Sequence, residues 1–449
     1  MATSPMPRPG AAPNLAGLRA ASVRLPLCFV LAGVLSLFLS AGAFLAEPGL
    51  LAMYHYTPHT LAITHLFVLG FICSVIMGAM YQLVPVTLET RLFSEGLVLW
   101  QFFAHAIGVV GMVWSFWVFN MTWVAGFGSL FGLGVVLFVV NLAGTLARVK
   151  GWNVIKTGIA SALFWLALTV AAGLLLALSQ CWGFMPFAPM AAMHAHAHLG
   201  VIGLFLMLIV TVSFKLVPMF ALGELKSKRR AAWSLALLNG FLPFAFLTIL
   251  FQNQLKPVAA LGIMAGLALY ALEIIAILQG RNRRRLDWGL LFFLTGLALL
   301  LPLCLLALVL CCPWLPMNAL ALQLESVYGL LALVGVVGMA ILGMLYKIVP
   351  FLVWFHAYSP HIGRAKVPAL AGMYSVPVQI AGYWSFLAGL AVLCVATALS
   401  NYTAIRLGTV LLDASMALFA FNLTRMLSHW FRPRIAAFQP KLPQGAHVP

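Results

Sequence analysis

Acidic residues are almost missing from this sequence: its 449 residues include eight Asp and Glu against 25 Lys and Arg. Charged residues of both signs make up 7% of the chain, whereas soluble domains average about 25%. With 64% hydrophobic residues, this composition excludes an ordinary soluble domain and predicts a polytopic membrane protein. The net charge of +17 does not indicate nucleic-acid binding, because the basic residues lie in loops, where they set membrane topology.

The motifs of several enzyme classes are missing as well. There is no Walker, Rossmann or nucleophile-elbow motif, and no Cys-x-x-Cys-His motif for covalent heme attachment. The seven cysteines are scattered without metal-ligand spacing, and most lie inside apolar runs. We interpret them as small residues of helix packing.

Apolar runs near the roughly 20 residues that span a bilayer recur along the chain. The loops between them are alternately basic and nearly uncharged, which places both termini in the cytoplasm by the positive-inside rule. The sequence therefore predicts an all-α polytopic protein of the cell inner (cytoplasmic) membrane, in contact with the lipid bilayer, with cytoplasmic tails at 1–24 and 431–449 and a single membrane domain at 25–430. The apolar runs, about 12 in number, are 25–45, 60–85, 97–118, 123–147, 156–180, 193–220, 232–252, 257–279, 288–312, 324–352, 375–399 and 404–427.

One stretch occurs three times, in the second, sixth and tenth runs. The copies read "HLFVLGFICSVIMGAMYQLVP", "HLGVIGLFLMLIVTVSFKLVP" and "LLALVGVVGMAILGMLYKIVP", and each ends in a proline twenty residues after its first residue. They lie four helices apart, which predicts three pseudo-symmetric arcs of four helices, with repeats at about 25–147, 156–279 and 288–427. The copies share a glycine at the sixth place and an aromatic residue four before the proline: Gly70, Gly203, Gly335, Tyr81, Phe214 and Tyr346.

Histidine is concentrated at the predicted outer ends of two of these helices. His194, His196 and His198 open the sixth run at alternate positions, and His65 opens the second at the place equivalent to His198. Imidazoles in a membrane are costly without partners, so these four are candidate ligands. His105, near mid-depth on the third helix, is a further candidate, although a lone membrane histidine is more typical of a helix–helix hydrogen bond. The other histidines are interpreted as solvent or headgroup residues: His55, His59, His356, His361, His429 and His447.

The helix count, the spacing and the three motifs resemble subunit I of the heme-copper oxidases, most closely the C-type branch and the nitric oxide reductases. In that family the second helix carries an axial ligand of the low-spin heme, and the sixth begins with a copper-binding histidine. The tenth opens with His-x-His, one ligand for each heme. The resemblance implies that His65 is a heme ligand and that His198 stands at the copper position.

The sequence departs from that family at two places. The tenth helix reads "ESVYGLL", so Tyr328 and Leu330 occupy the His-x-His positions. The seventh helix has no histidine where the family has its copper-binding pair. The resemblance therefore does not carry over a standard binuclear centre. Tyr328 is a candidate replacement heme ligand, since tyrosine serves so in catalase, and Glu325, at the outer mouth of the tenth helix, is a further candidate site residue.

The sixth helix carries the His-x-His pattern that the tenth lacks. A b-type heme between the second and sixth helices would have His65 and His198 as axial ligands, with His196 facing another direction. His194 and His198 are four residues apart and share a helix face, so they are alternatively a copper or zinc pair.

Three classes of function remain open from the sequence. The first is a heme protein resembling cytochrome c oxidase subunit I, which acts in electron transfer or in oxygen or nitric oxide chemistry. If it is an enzyme, it is a respiratory oxidoreductase, for which a small redox partner or accessory subunits are expected. The second is a protein that handles copper or heme during respiratory-enzyme assembly. The third is a transporter without a cofactor on the same scaffold.

Overall fold

A computed structural model describes residues 23–53, 55–316 and 318–437. Within these residues twelve helices are long and apolar enough to cross a membrane, as the sequence predicts. The predicted tails 1–24 and 431–449, with His447, lie mostly outside the described residues. The helices, named α1 to α12, are Arg24–Ala46, Pro58–Thr87, Glu95–Trp117, Met121–Ala147, Val154–Trp182, Pro189–Ala221, Lys228–Leu250, Lys256–Gln279, Trp288–Leu310, Ala319–His361, Val376–Ala398 and Tyr402–Phe431.

Helices α2, α6 and α10 form the centre of the bundle. In their most apolar stretches 61%, 78% and 67% of the residues are buried inside the protein, whereas the share is at most 44% in the other described helices. The three helices that carry the repeated stretch are therefore the inner ones. Their side chains face protein on most sides, whereas the outer helices turn apolar side chains to lipid.

Each of the three inner helices contains a widened π-helical segment of eight residues. The segments are Leu66–Cys73, Leu199–Leu206 and Leu331–Gly338. They begin directly after His65, His198 and Leu330, which are the first residues of the three repeated stretches. The segments of α2 and α6 each contact that of α10 at the centre of the bundle. π-Helical turns are rare and often lie at functional sites.

Some helix ends differ from the predicted ends, because capping side chains and prolines determine them and hydropathy does not. Lys228 begins α7, four residues before the apolar run, because the Ser227 side chain accepts the N–H of Arg230 and caps the helix. The prolines that close the repeated stretches lie within helices, in the last turn of α2 and α6 and further from the end of α10: Pro85, Pro218 and Pro350. α9 is interrupted between Ala298 and Leu300, because Pro302 has no N–H to continue the helical hydrogen bonds.

In two of the three arcs, an asparagine of the last helix makes the same hydrogen bonds to the residue that precedes the third helix of that arc. Asn141 of α4 accepts the N–H of Ser94 at 3.0 Å and donates to its carbonyl oxygen at 2.8 Å. Asn422 of α12 makes the same two bonds to Ser375, at 2.8 and 3.0 Å. Ser94 and Ser375 directly precede α3 and α11, so the last helix of each arc holds the start of an earlier one.

The middle arc closes at the equivalent place with a carboxylate. Glu273 of α8 is fully buried, and its Oε1 accepts the N–H groups of Lys226 and Ser227 at 2.6 and 2.8 Å. Its Oε2 accepts a bond from Arg230 Nε at 2.8 Å. We call the three contacts made by Asn141, Asn422 and Glu273 the loop latches. They lie at the end of the bundle opposite the histidine-rich helix starts, together with a short antiparallel ladder of Ala365–Lys366 and Ala436–Ala437.

Candidate functional site

A cavity of about 390 Å³ lies among the inner helices at the end where α2, α6 and α10 begin. It extends to Asp413, which lies eleven residues into α12, or about 16 Å along that helix. Most of the lining side chains are apolar. The polar and titratable residues of the lining are Ser40, His55, Thr60, Thr64, His194, His198, Lys256, Cys311, Glu325, Ser326, Tyr328, Thr409 and Asp413.

His198 faces this cavity. Its Nδ1 lies 2.7 Å from the carbonyl oxygen of His194. Because a carbonyl can only accept, Nδ1 carries the proton and Nε2 keeps a free lone pair in the neutral ring. The Tyr328 hydroxyl lies 3.4 Å from Nε2, and the two rings stack with centroids 5.8 Å apart. The structure thus brings two of the predicted site residues together.

His65 repeats the backbone contact of His198 but faces another direction. Its Nδ1 lies 2.7 Å from the carbonyl oxygen of Leu61, so its Nε2 is again the lone-pair nitrogen. Its ring stacks on Phe116 of α3, with centroids 4.6 Å apart. His65 and His198 therefore share a tautomer and an equivalent place, and their rings have different neighbours.

His196 lies on the face of α6 opposite the cavity. A methyl group on Gly173 of α5 would approach its Cε1 to 2.8 Å, so the ring packs directly against the glycine backbone and would have to shift if that residue were larger. His65 lies within electrostatic range of His196. Within the described part of the chain, the buried Nδ1 of His196 has no hydrogen-bond partner.

His194 belongs to a separate group at the mouth of the cavity. Its Nε2 lies 3.4 Å from Nε2 of His55 and 4.0 Å from Oε2 of Glu325. The same carboxylate oxygen lies 3.9 Å from His55 Nε2. We call His55, His194 and Glu325 the mouth triad. Burial lowers the pKa of the His55 imidazole below its ordinary value, so the ring is neutral at pH 7. His194 and His198 share the cavity face, as predicted, but their imidazoles have different neighbours.

His105 lies apart from the other candidates. Its Nε2 is 2.8 Å from the Ser74 hydroxyl of α2, and its ring packs against Phe29 and Phe131. This is the helix–helix hydrogen bond that a lone membrane histidine typically makes.

Three residues that line the cavity were not predicted to belong to the site: His55, Lys256 and Asp413. His55 was interpreted as a surface residue, yet it joins the mouth triad. Lys256 lies at the start of α8 and lines the cavity within electrostatic range of His194 and Glu325. Asp413 lines the cavity, and its buried Oδ2 has no hydrogen-bond partner among the described residues. The sequence does signal Asp413, as a carboxylate inside a membrane helix. The sequence contains no pattern that would predict contact between His55 and residues of α6 and α10.

Comparison with known proteins identifies the fold. No protein-family model and no curated protein matches the chain. Solved structures do match, and one is described as the cryo-EM structure of a heme-copper terminal oxidase dimer. It has a TM-score of 0.64 and 14% identity, and the match covers 92% of this chain and 85% of that one. The chain is therefore a multi-pass membrane protein with the fold of heme-copper oxidase subunit I.

The cofactors of that fold can be tested against the residues present. The cavity offers an imidazole lone pair, a phenol and an apolar lining, which are the ligands and surroundings that heme takes in proteins. The family's copper arrangement does not fit, because α7 contributes no histidine and the polar neighbour of His198 Nε2 is Tyr328. The site therefore suits heme and does not suit the standard copper centre.

Proposed function

We propose that this chain is a heme-binding integral membrane protein that acts in electron transfer or in oxygen or nitric oxide chemistry, with a non-standard or absent binuclear centre. The observation that carries the proposal is the shared tautomer of His65 and His198. Each donates Nδ1–H to the carbonyl four residues earlier and keeps Nε2 as a lone pair. Ligating histidines in metalloproteins are usually held in this way.

The residues proposed to hold b-type heme are His198, which lines the cavity, and His65, which stacks on Phe116. Because their rings face different directions, each would hold a heme by its own Nε2, and they would not share one heme as predicted from the sequence. Tyr328 and His196 are the groups beside them. A heme held by His198 alone would supply a one-electron redox centre and, with a single imidazole bound, would leave a coordination position for a small gas. The hydrogen bonds to Leu61 and His194 orient the two rings and fix the proton on Nδ1. Phe116 on one side and the apolar cavity walls on the other keep water from the imidazoles.

The absorption spectrum of the purified protein tests this proposal. We expect a Soret band and, after reduction, sharp α and β bands of a b-type heme, with at least one equivalent of heme extracted per chain. A pure, folded protein that contains copper or zinc without a Soret band would support a metal-handling function instead. The absence of both heme and metal would leave a transporter without a cofactor.

The second candidate function, copper or heme handling, is favoured by the mouth triad. Two imidazoles and a carboxylate meet at the entrance of the cavity, a place that exchange of a metal with the outside would require. The same preparation decides between the two functions, because a handling protein would release its cargo to a competing chelator while a redox protein would retain its heme.

We also propose that the protein lies in the inner membrane with both termini in the cytoplasm, as the alternating basic loops predict. A reporter that is active only outside the cytoplasm, fused after Pro449, should be inactive. The same reporter inserted in the loop of Gly183, between α5 and α6, should be active. The reverse pattern would invert the topology and place the histidine-rich end in the cytoplasm.

A further inference from the structure

We propose that His55, His194 and Glu325 bind one divalent transition-metal ion, Zn²⁺ or Cu²⁺, at the mouth of the cavity. This site differs from the predicted His194–His198 pair in two of its three ligands. It also does not depend on heme binding, since none of the three residues is a proposed axial ligand. The ligands come from the loop between α1 and α2, from α6 and from α10.

The distances between the ligand atoms favour a shared ion over direct hydrogen bonds. Two ligands held at about 2.05 Å from a tetrahedral ion lie about 3.3 Å apart. The two Nε2 atoms are 3.4 Å apart, whereas an N–H donor and its acceptor are usually about 2.9–3.0 Å apart. The carboxylate oxygen is 3.9 and 4.0 Å from these nitrogens, too far for hydrogen bonds. A small rotation of Glu325 would bring it to the tetrahedral separation.

The surroundings of the triad suit a metal site that is held by the protein and reached from solvent. The side chains of His55, His194 and Glu325 are 19%, 28% and 25% exposed, so the group is sheltered and still reachable. The Ser326 hydroxyl lies 3.4 Å from Nδ1 of His55 and orients that ring from behind. Three protein ligands leave a fourth position open to water or a small ligand, the pattern of catalytic rather than structural zinc sites.

Lys256 gives the site a feature that distinguishes metal binding from a hydrogen-bonded cluster. Its ammonium group lies within electrostatic range of His194 and Glu325 and would repel a divalent cation. Replacing it by methionine should therefore strengthen metal binding, by about threefold to tenfold. In a cluster that binds no metal the same replacement would have no effect on metal content.

The test is metal binding by the purified chain after chelator treatment, with Zn²⁺, Cu²⁺ and Co²⁺ as separate probes. We expect one equivalent of tightly bound metal, Co²⁺ absorption bands of a tetrahedral site, and Cu²⁺ electron paramagnetic resonance with coupling to two imidazole nitrogens. His55→Ala, His194→Ala and Glu325→Gln should each lower affinity at least a hundredfold. Lys256→Met should raise it.

The matched control is His59→Ala, because His59 stacks on Trp117 at the same end of the bundle, outside the triad. It should bind metal as the unaltered protein does. His65→Ala and His198→Ala should also keep the metal, whatever they do to heme, so failure of this site and failure of the heme proposal are distinguishable. Unaltered protein that binds no stoichiometric metal, or triad variants that bind it normally while remaining folded, would overturn the inference.

Discussion

Replacing His198 with alanine should remove one whole equivalent of heme from the purified protein. Its Nε2 is the lone-pair nitrogen that faces the cavity, and the bond from Nδ1 to the His194 carbonyl holds the ring in place. Alanine provides no ligand atom, and α6 would keep its backbone. Heme extraction and the reduced-minus-oxidised spectrum measure the loss. His65→Ala should also convert or abolish the low-spin spectrum, because its imidazole has the same tautomer.

Two controls separate ligand loss from damage to the fold. Tyr328→Phe removes the hydroxyl near His198 Nε2 and keeps the stacked ring, so heme content should persist. His59→Ala tests whether the loss of any histidine at this end of the bundle lowers the heme content. Wild-type heme content in both His65→Ala and His198→Ala would show that neither residue is an axial ligand.

Replacing Glu273 with alanine should destabilise the fold more than any other single change in the loop latches. The alanine would leave three buried or half-buried donors without an acceptor: the N–H groups of Lys226 and Ser227, and the Arg230 side chain. Breaking a buried ion pair costs about 3–5 kcal/mol. We expect the lower end, because the Arg230 side chain is 36% exposed and water partly replaces its partner. A melting temperature several degrees lower in detergent would measure this.

The other two loop latches suggest a substitution of Glu273 that should preserve part of the stability. Asn141 and Asn422 hold two backbone groups at the equivalent places, so Glu273→Asn should recover part of the stability that Glu273→Ala loses. Glu224→Ala removes an exposed carboxylate that pairs with Lys226 at 3.0 Å, and it should have little effect. Equal melting temperatures for Glu273→Ala and Glu224→Ala would mean that the middle latch contributes nothing.

The sequence predicted the membrane helices because hydropathy is a pattern that spans many residues, and long apolar runs define all twelve. The recurring stretch showed that α2, α6 and α10 are equivalent, and the structure adds that these three helices lie inside. The equivalence of His65 and His198 was visible for the same reason, and the structure gives both residues the same contact with the backbone.

The arrangement of the side chains could not be predicted in the same way. Ideal α-helical geometry rotates successive residues by about 100°, but the π-helical segments change this rotation without a compositional signal. His55 joins the mouth triad because a loop with a 3₁₀ turn at Pro48–Leu51 and a Thr57 cap folds over the cavity. Such a path depends on contacts far apart in the chain. The sequence identified His194 and Glu325 individually but did not show that His55 lies between them.

The three π-helical segments also bear on what the repeated stretch encodes. All three stand at the same place, directly after the first residue of the repeated stretch. The sequences of the three segments differ, and so do the helices packed around them. A feature that recurs at one register in three different surroundings is a property of the repeated stretch itself, so the widened turn belongs to the unit that α2, α6 and α10 share.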